Sequence, residues 1–118
     1  AEFLMTQALL PVIKKAEAGR IVFTSSTVGH SGRAFWGTYA ISKFATEGMM
    51  QAIAHEYEGS NIRSNSINPG ATRTGMRANA YPAENPQDLK TPEDIMPTYL
   101  YLMGKDSADI NGQQLNAQ

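Results

Sequence analysis

Apolar positions along this chain change their spacing several times, and each change predicts an element. Residues 1–18 (AEFLMTQALLPVIKKAEA) are rich in helix formers, but their apolar side chains do not keep to one stripe. Phe3, Leu10 and Ile13 fall on one side, and Met5, Leu9, Val12 and Ala16 on another. The pattern predicts a helix that needs cover on more than one face, with Gly19 as its C-cap after Lys14 and Lys15. No Ser, Thr, Asp or Asn caps it at Ala1, so the start is expected to be an edge where preceding chain joins.

The run 20–26 (RIVFTSS) is continuously β-prone rather than alternating, as for a strand buried on both faces of a parallel sheet. Residues 27–36 carry two glycines and read as a loop. From Gly37 to about Glu58, Ala45, Met49, Ala52, Ile53 and Glu56 recur at spacings of three and four, which predicts a helix. A more polar strand candidate, 61–68 (NIRSNSIN), is closed by Pro69-Gly70. The stretch to about Lys90, broken by Pro82 and Pro86, reads as a loop and as the mobile lid of whatever site lies beside it. Thr91 then caps a helix with Pro92 at its first position and Glu93 and Asp94 in its first turn, running to about Lys105. A short strand over 113–117 comes after Gly112. The order helix–strand–helix–strand–helix–strand predicts an α/β fold with a parallel sheet. Three strands are half of what a doubly wound dinucleotide fold has, and no G-x-G-x-x-G turn opens any helix.

Composition narrows the chemistry. With 118 residues, 42% of them apolar, the chain can form one modest core. A formal charge of −1 gives no basic field for nucleic acid or anionic membrane. No apolar run approaches the roughly 20 residues of a spanning helix. The absence of cysteine rules out disulfides, thiolate catalysis and Cys-ligated metals, and two histidines cannot build a metal centre alone, so no metal is expected. Without a signal-like N-terminus, the expected location is the cytoplasm.

Tyr39-Ala40-Ile41-Ser42-Lys43 places a phenol and an ammonium one turn apart at the start of a helix, so that they can share a site. A free phenol is a poor acid or base at neutral pH, but a neighbouring ammonium and the helix N-terminus both favour its anion. The plain alternative is a half-buried tyrosine beside a solvated lysine. Ser26 ends a buried strand thirteen residues before Tyr39, at the sheet edge where parallel α/β folds place their ligands. The loop 68–74 (NPGATRT) must emerge at that same edge after the next strand.

These residues together resemble the short-chain dehydrogenase/reductase family, and the resemblance covers essentially the whole chain. It implies the C-terminal half of a doubly wound, Rossmann-like domain. It also implies an NAD- or NADP-dependent transfer of hydride between the nicotinamide and a small carbonyl or secondary alcohol. By the same resemblance Ser26 orients the substrate oxygen, Tyr39 transfers the proton, and Lys43 binds the nicotinamide ribose beside Tyr39. Pro69, Gly70, Thr72 and Thr74 are then expected at the nicotinamide amide. Residues 92–96 (PEDIM) and 99–103 (YLYLM) further resemble the bacterial YciK-type branch. The family's glycine-rich turn, cofactor selector, Asn-Asn-Ala-Gly strand and catalytic asparagine have no counterpart in this sequence. The asparagine is expected just before Ala1. Family members commonly pair through the two helices matching 1–18 and the Tyr39 helix, so a dimer or tetramer is expected.

Of the remaining residues, His30 reads as an exposed loop histidine and His55 as helix surface, with the crevice as the alternative for His30. Phe35 and Trp36 read as packing residues, and Met49, Met50, Met96 and Met103 as core or interface fill. Arg73 and Arg77 read as solvated loop charge. The rival to an enzyme is a catalytically inactive fragment of the same ancestry, acting only as a scaffold or interaction module.

Overall fold

The computed structural model describes all 118 residues. Its elements are α1 (Glu2–Ile13), β1 (Gly19–Thr24), α2 (Gly37–Glu56), β2 (Ile62–Asn68), α3 (Gly75–Ala80), α4 (Pro92–Met103) and β3 (Gln114–Asn116). Short 3-10 turns occupy Thr27–Gly29, Pro86–Asp88 and Lys105–Ser107. The three strands form one parallel sheet in the order β1-β2-β3, with Thr24 opposite Ile67 and Asn68 opposite Asn116. All three therefore end at the same edge, and the fold is the expected α/β Rossmann-like arrangement. Ile21 and Phe23 of β1, Ile62 of β2, and Met50 and Ile53 of α2 make the apolar core, flanked by Leu10, Ile13, Met49 and Tyr57.

Several details differ from the sequence pattern. α1 stops at Ile13, and the next N–H groups close i→i+3 bonds from Lys15 to Val12 and from Ala16 to Ile13. Gly19 is thus not a C-cap but the first residue of β1. A Cβ there would meet Ile13 Cγ2 at 2.9 Å and Ile62 Cγ1 at 3.1 Å, so the glycine is dictated by close packing between α1 and β2. None of α1 is buried: Phe3, Leu4, Met5 and Val12 stand in solvent, so the cover that their pattern calls for is not supplied by the rest of the chain.

On α2 the buried face runs through Ala40, Thr46, Glu47, Met50, Ile53 and Ala54. Of the residues whose spacing predicted the helix, only Ile53 is buried, because the face that meets the sheet is offset from that spacing and includes Glu47. Ser26 lies just beyond β1, which ends at Thr24. The polar β2 is the central and most buried strand. Its polar groups all have partners: Ser64 donates to Met50 C=O, Ser66 to Glu47, and Asn65 donates to Ile110 C=O while accepting from Gln113 N–H. Satisfied in this way, polar side chains can occupy a core.

The 71–90 stretch is not a plain loop. Thr74 caps α3 by accepting from Arg77 N–H, Arg77 holds Glu84 through two nitrogens at 2.7 and 2.8 Å, and Arg73 donates to the carbonyls of Pro86 and Leu89. A parallel bridge joins Thr72 to Lys90 at its base. α4 opens as its sequence predicts, with a capping box in which Thr91 and Asp94 bond each other's backbone. Hydrogen bonding from the Thr91 backbone and hydroxyl holds the Asp94 carboxyl below the usual aspartate range. No helix is long and apolar enough to cross a membrane.

Candidate active site

Parallel strands all point the same way, so the turns leaving them emerge at one edge of the sheet, and here that edge gathers most of the expected residues. Tyr39 and Lys43 lie one turn apart near the start of α2, both half-buried. The Lys43 ammonium stands 5.7 Å from the centre of the Tyr39 ring and donates to Thr24 C=O at 2.8 Å, which pins the side chain to the end of β1. Trp36 meets the Tyr39 ring edge-on at 5.5 Å and lies 6.1 Å from the Tyr81 ring. That links the start of α2 to the 71–90 excursion.

Ser26 caps the turn after β1, its hydroxyl accepting from Val28 N–H at 3.5 Å. Asn68, at the end of β2, joins this turn to β3 by donating to Thr27 Oγ1 and Asn116 Oδ1, both at 3.1 Å. The same side chain accepts from Gly70 N–H. Gly70 has φ 71°, the left-handed region where a side chain is strained, and Gln118 donates to the carbonyls on either side of it, Pro69 and Ala71. Pro69 and Gly70 are therefore held at the edge beside the Ser26 turn. The Thr72 hydroxyl turns back onto Pro69 and Gly70 C=O at 3.4 and 3.3 Å, and Thr74 is occupied in capping α3. The hydrogen bonds of these two threonines are local to their loop, and none reaches Tyr39 or Lys43.

The chain's sequence matches the short chain dehydrogenase family profile over residues 1–85. It is 62% identical over 118 residues to the uncharacterized oxidoreductase YciK of Escherichia coli K12, covering 100% of this chain and 46% of that protein. The chain belongs to the short-chain dehydrogenase family. Among solved structures, a short chain dehydrogenase from Pseudomonas syringae superposes with a TM-score of 0.96 at 65% identity, covering 99% of this chain and 48% of that one. A short chain dehydrogenase from Escherichia coli CFT073 in complex with NADPH gives a TM-score of 0.96 at 62% identity, again over 99% and 48%. The chain thus spans about half the length of the relatives it matches.

For a short-chain dehydrogenase, the donors at this edge fit one part of a dinucleotide. Lys43 spends one of its three N–H groups on Thr24, leaving two for ribose hydroxyls, and the Thr72 and Thr74 hydroxyls retain capacity toward an amide. Nothing in this chain fits a pyrophosphate: α2 opens behind Trp36 with no glycine turn. Arg73 and Arg77 are committed to backbone carbonyls and Glu84 rather than free for phosphate or solvated. No grouping of His, Asp and Glu could hold a metal ion.

Sequence reasoning missed a buried polar cluster behind the edge. Glu47, Ser25, Ser66 and Gln114 are linked by hydrogen bonds, and His30 approaches Glu47 at 3.8 Å rather than standing alone in its loop. The available signal was a glutamate three residues before Met50, in phase with the buried face. Phe35 packs on nothing: it is fully exposed with φ 69°, so only Trp36 of that pair is a packing residue. His55 is on the helix surface as expected. Met50 fills the core, whereas Met96 and Met103 of α4 are exposed.

Proposed function

We propose that the protein carrying this chain is a cytoplasmic oxidoreductase that uses NADP to interconvert a small carbonyl compound and its secondary alcohol. The nicotinamide, when bound, gives or takes the hydride. Tyr39 supplies or removes the proton at the substrate oxygen, and the Lys43 ammonium beside its ring stabilises the phenolate while holding the ribose. Ser26 orients the same oxygen. Pro69, Gly70, Thr72 and Thr74 receive the nicotinamide amide. The observation that carries this reading is the half-buried Tyr39–Lys43 pair on one face of α2, tied by Lys43 to the end of β1 at the edge where the Ser26 and Pro69-Gly70 turns emerge. NADP is preferred over NAD because relatives of 62% identity are solved with NADPH and with NADP. The part of the protein that grips pyrophosphate and adenosine lies, on this reading, in the half of the relatives that this chain does not span. The exposed apolar faces of α1 and α2 are where a homo-oligomer would form.

Replacing Tyr39→Phe in full-length protein removes only the hydroxyl. Turnover of NADPH against a panel of small ketones should fall by about 100-fold or more, the size of a lost general acid, with NADPH affinity within about twofold. Undiminished turnover would overturn the assignment. A second reading, an interaction module without catalysis, is favoured by the uncovered α1 face, and it requires that the unsubstituted protein turn over none of these ketones.

A further inference from the structure

Glu47 is the one charged residue that the fold buries, only 3% exposed. It lies one helical turn beyond Lys43 on α2. Oε1 accepts from Ser66 Oγ of β2 at 2.8 Å and from Gln114 Nε2 of β3 at 2.6 Å. The Gln114 amide also reaches Ser25 Oγ at 3.3 Å, immediately before Ser26. Oε2 is buried without a hydrogen-bond partner. His30 Nε2 stands 3.8 Å from it, on a side chain that is half exposed. His30 closes the 3-10 turn that Ser26 opens.

The turn itself sits on α2 with no slack. A Cβ on Gly29 would meet Ser25 Oγ at 2.9 Å and Glu47 Cγ and Lys43 C=O at 3.1 Å. A carboxylate oxygen left buried and unpaired is costly, whereas one that takes a hydrogen bond from imidazole is not. Moving the His30 ring by about 1 Å would bring the pair to hydrogen-bond length.

We infer that Glu47 is a positioning residue: Oε1 ties α2 to β2 and β3, Oε2 takes the His30 imidazole, and the Ser26 turn is thereby fixed against the helix bearing Tyr39 and Lys43. The inference rests on the reading of Ser26, Tyr39 and Lys43 proposed above. Its reporters are the turn's own backbone bonds, Gly29 N–H to Ser26 C=O and His30 N–H to Thr27 C=O.

The experiment compares full-length protein with His30→Ala, Glu47→Gln and the double variant by amide hydrogen exchange, with NADPH binding measured alongside. Glu47→Gln keeps the acceptor that Ser66 and Gln114 use and puts an NH2 group, unable to accept from the imidazole, in place of the carboxylate oxygen facing His30. Each single change should speed exchange at Gly29 and His30 by about tenfold, as expected for one lost charge-assisted bond, and the double variant should go no further. Exchange along β1 and β2 should not change. Exchange at the turn that ignores His30→Ala, additive effects, or loosening spread evenly over the sheet would each overturn the role of Glu47. Failure of the unsubstituted protein to bind NADPH would overturn the reading of the site instead, and the exchange cycle would still decide Glu47.

Discussion

At the scale of single residues, β2 shows how a polar sequence becomes a core strand. Asn65 is 1% exposed and bonds Ile110 C=O at 2.9 Å and Gln113 N–H at 3.0 Å, so one side chain fastens the turn leading into β3. Asn65→Leu keeps the branched outline of the side chain but strands both backbone groups, and should lower unfolding stability by about 3 kcal/mol in urea denaturation. A loss under about 1 kcal/mol would mean that water replaces the amide. The placement of Tyr39, Lys43 and Ser26 about the end of β1 was legible because their spacing is local and follows the strand–turn–helix order. The partners of Asn65 and Glu47 were not, since they lie 17 to 67 residues away on other elements and no local pattern encodes them. Gly19 was misread for the same reason: its Cβ space is taken by Ile13 and by Ile62, the second of which is adjacent only in the folded sheet.

At the scale of elements, the strands and long helices come from periodicity and capping, and the shortfall is in the segment 71–90. Pro82 and Pro86 mark a break as expected, yet six residues before them form α3. The brace is Arg77, which bonds Glu84 and covers the Tyr81 ring at 3.8 Å, while Tyr81 in turn approaches Trp36. Its hydrogen bonding from Arg77 holds the Glu84 carboxyl below the usual glutamate range and, conversely, Glu84 raises Arg77 further. Because the folded value is the lower one, the pair supports this segment above the ordinary glutamate range, and the support is lost as pH falls through the depressed folded value. Trp36 is the one tryptophan of these 118 residues, so the emission of this chain reports the contact directly. Emission should hold steady from neutral pH down into the ordinary glutamate range and shift to the red only below it, with Glu84→Gln already shifted at neutral pH. An unshifted Glu84→Gln spectrum would show that Arg77 alone orders the segment.

At the scale of the whole molecule, the dimensions are those of a part that expects cover. A compact monomer of this mass exposes about 6,300 Å², whereas this chain exposes 7521 Å². Its radius of gyration is 15.3 Å, against about 13.5 Å for a compact domain of this length. The excess is apolar in the places that matter: Phe3, Leu4 and Val12 on α1, Phe44 on α2, and Leu100 and Met103 on α4. β1 has a neighbour on one side only, so its other edge presents unpaired backbone groups. The same geometry limits what the 118 residues can bind. On the proposed reading, Lys43 and the Pro69-Gly70 loop would meet only a nicotinamide and its ribose, a handful of contacts, while the grip on a dinucleotide comes chiefly from a glycine turn and helix N-terminus at the pyrophosphate. The chain prepared by itself should therefore bind NADP no more tightly than about 1 mM, equivalent to about 4 kcal/mol, and should self-associate through its uncovered faces. Calorimetric titration with NADP and light scattering on the same sample test both halves. Micromolar binding by a soluble monomer would show that these residues hold the nucleotide without the pyrophosphate site, and the division of labour argued from this sheet would fail.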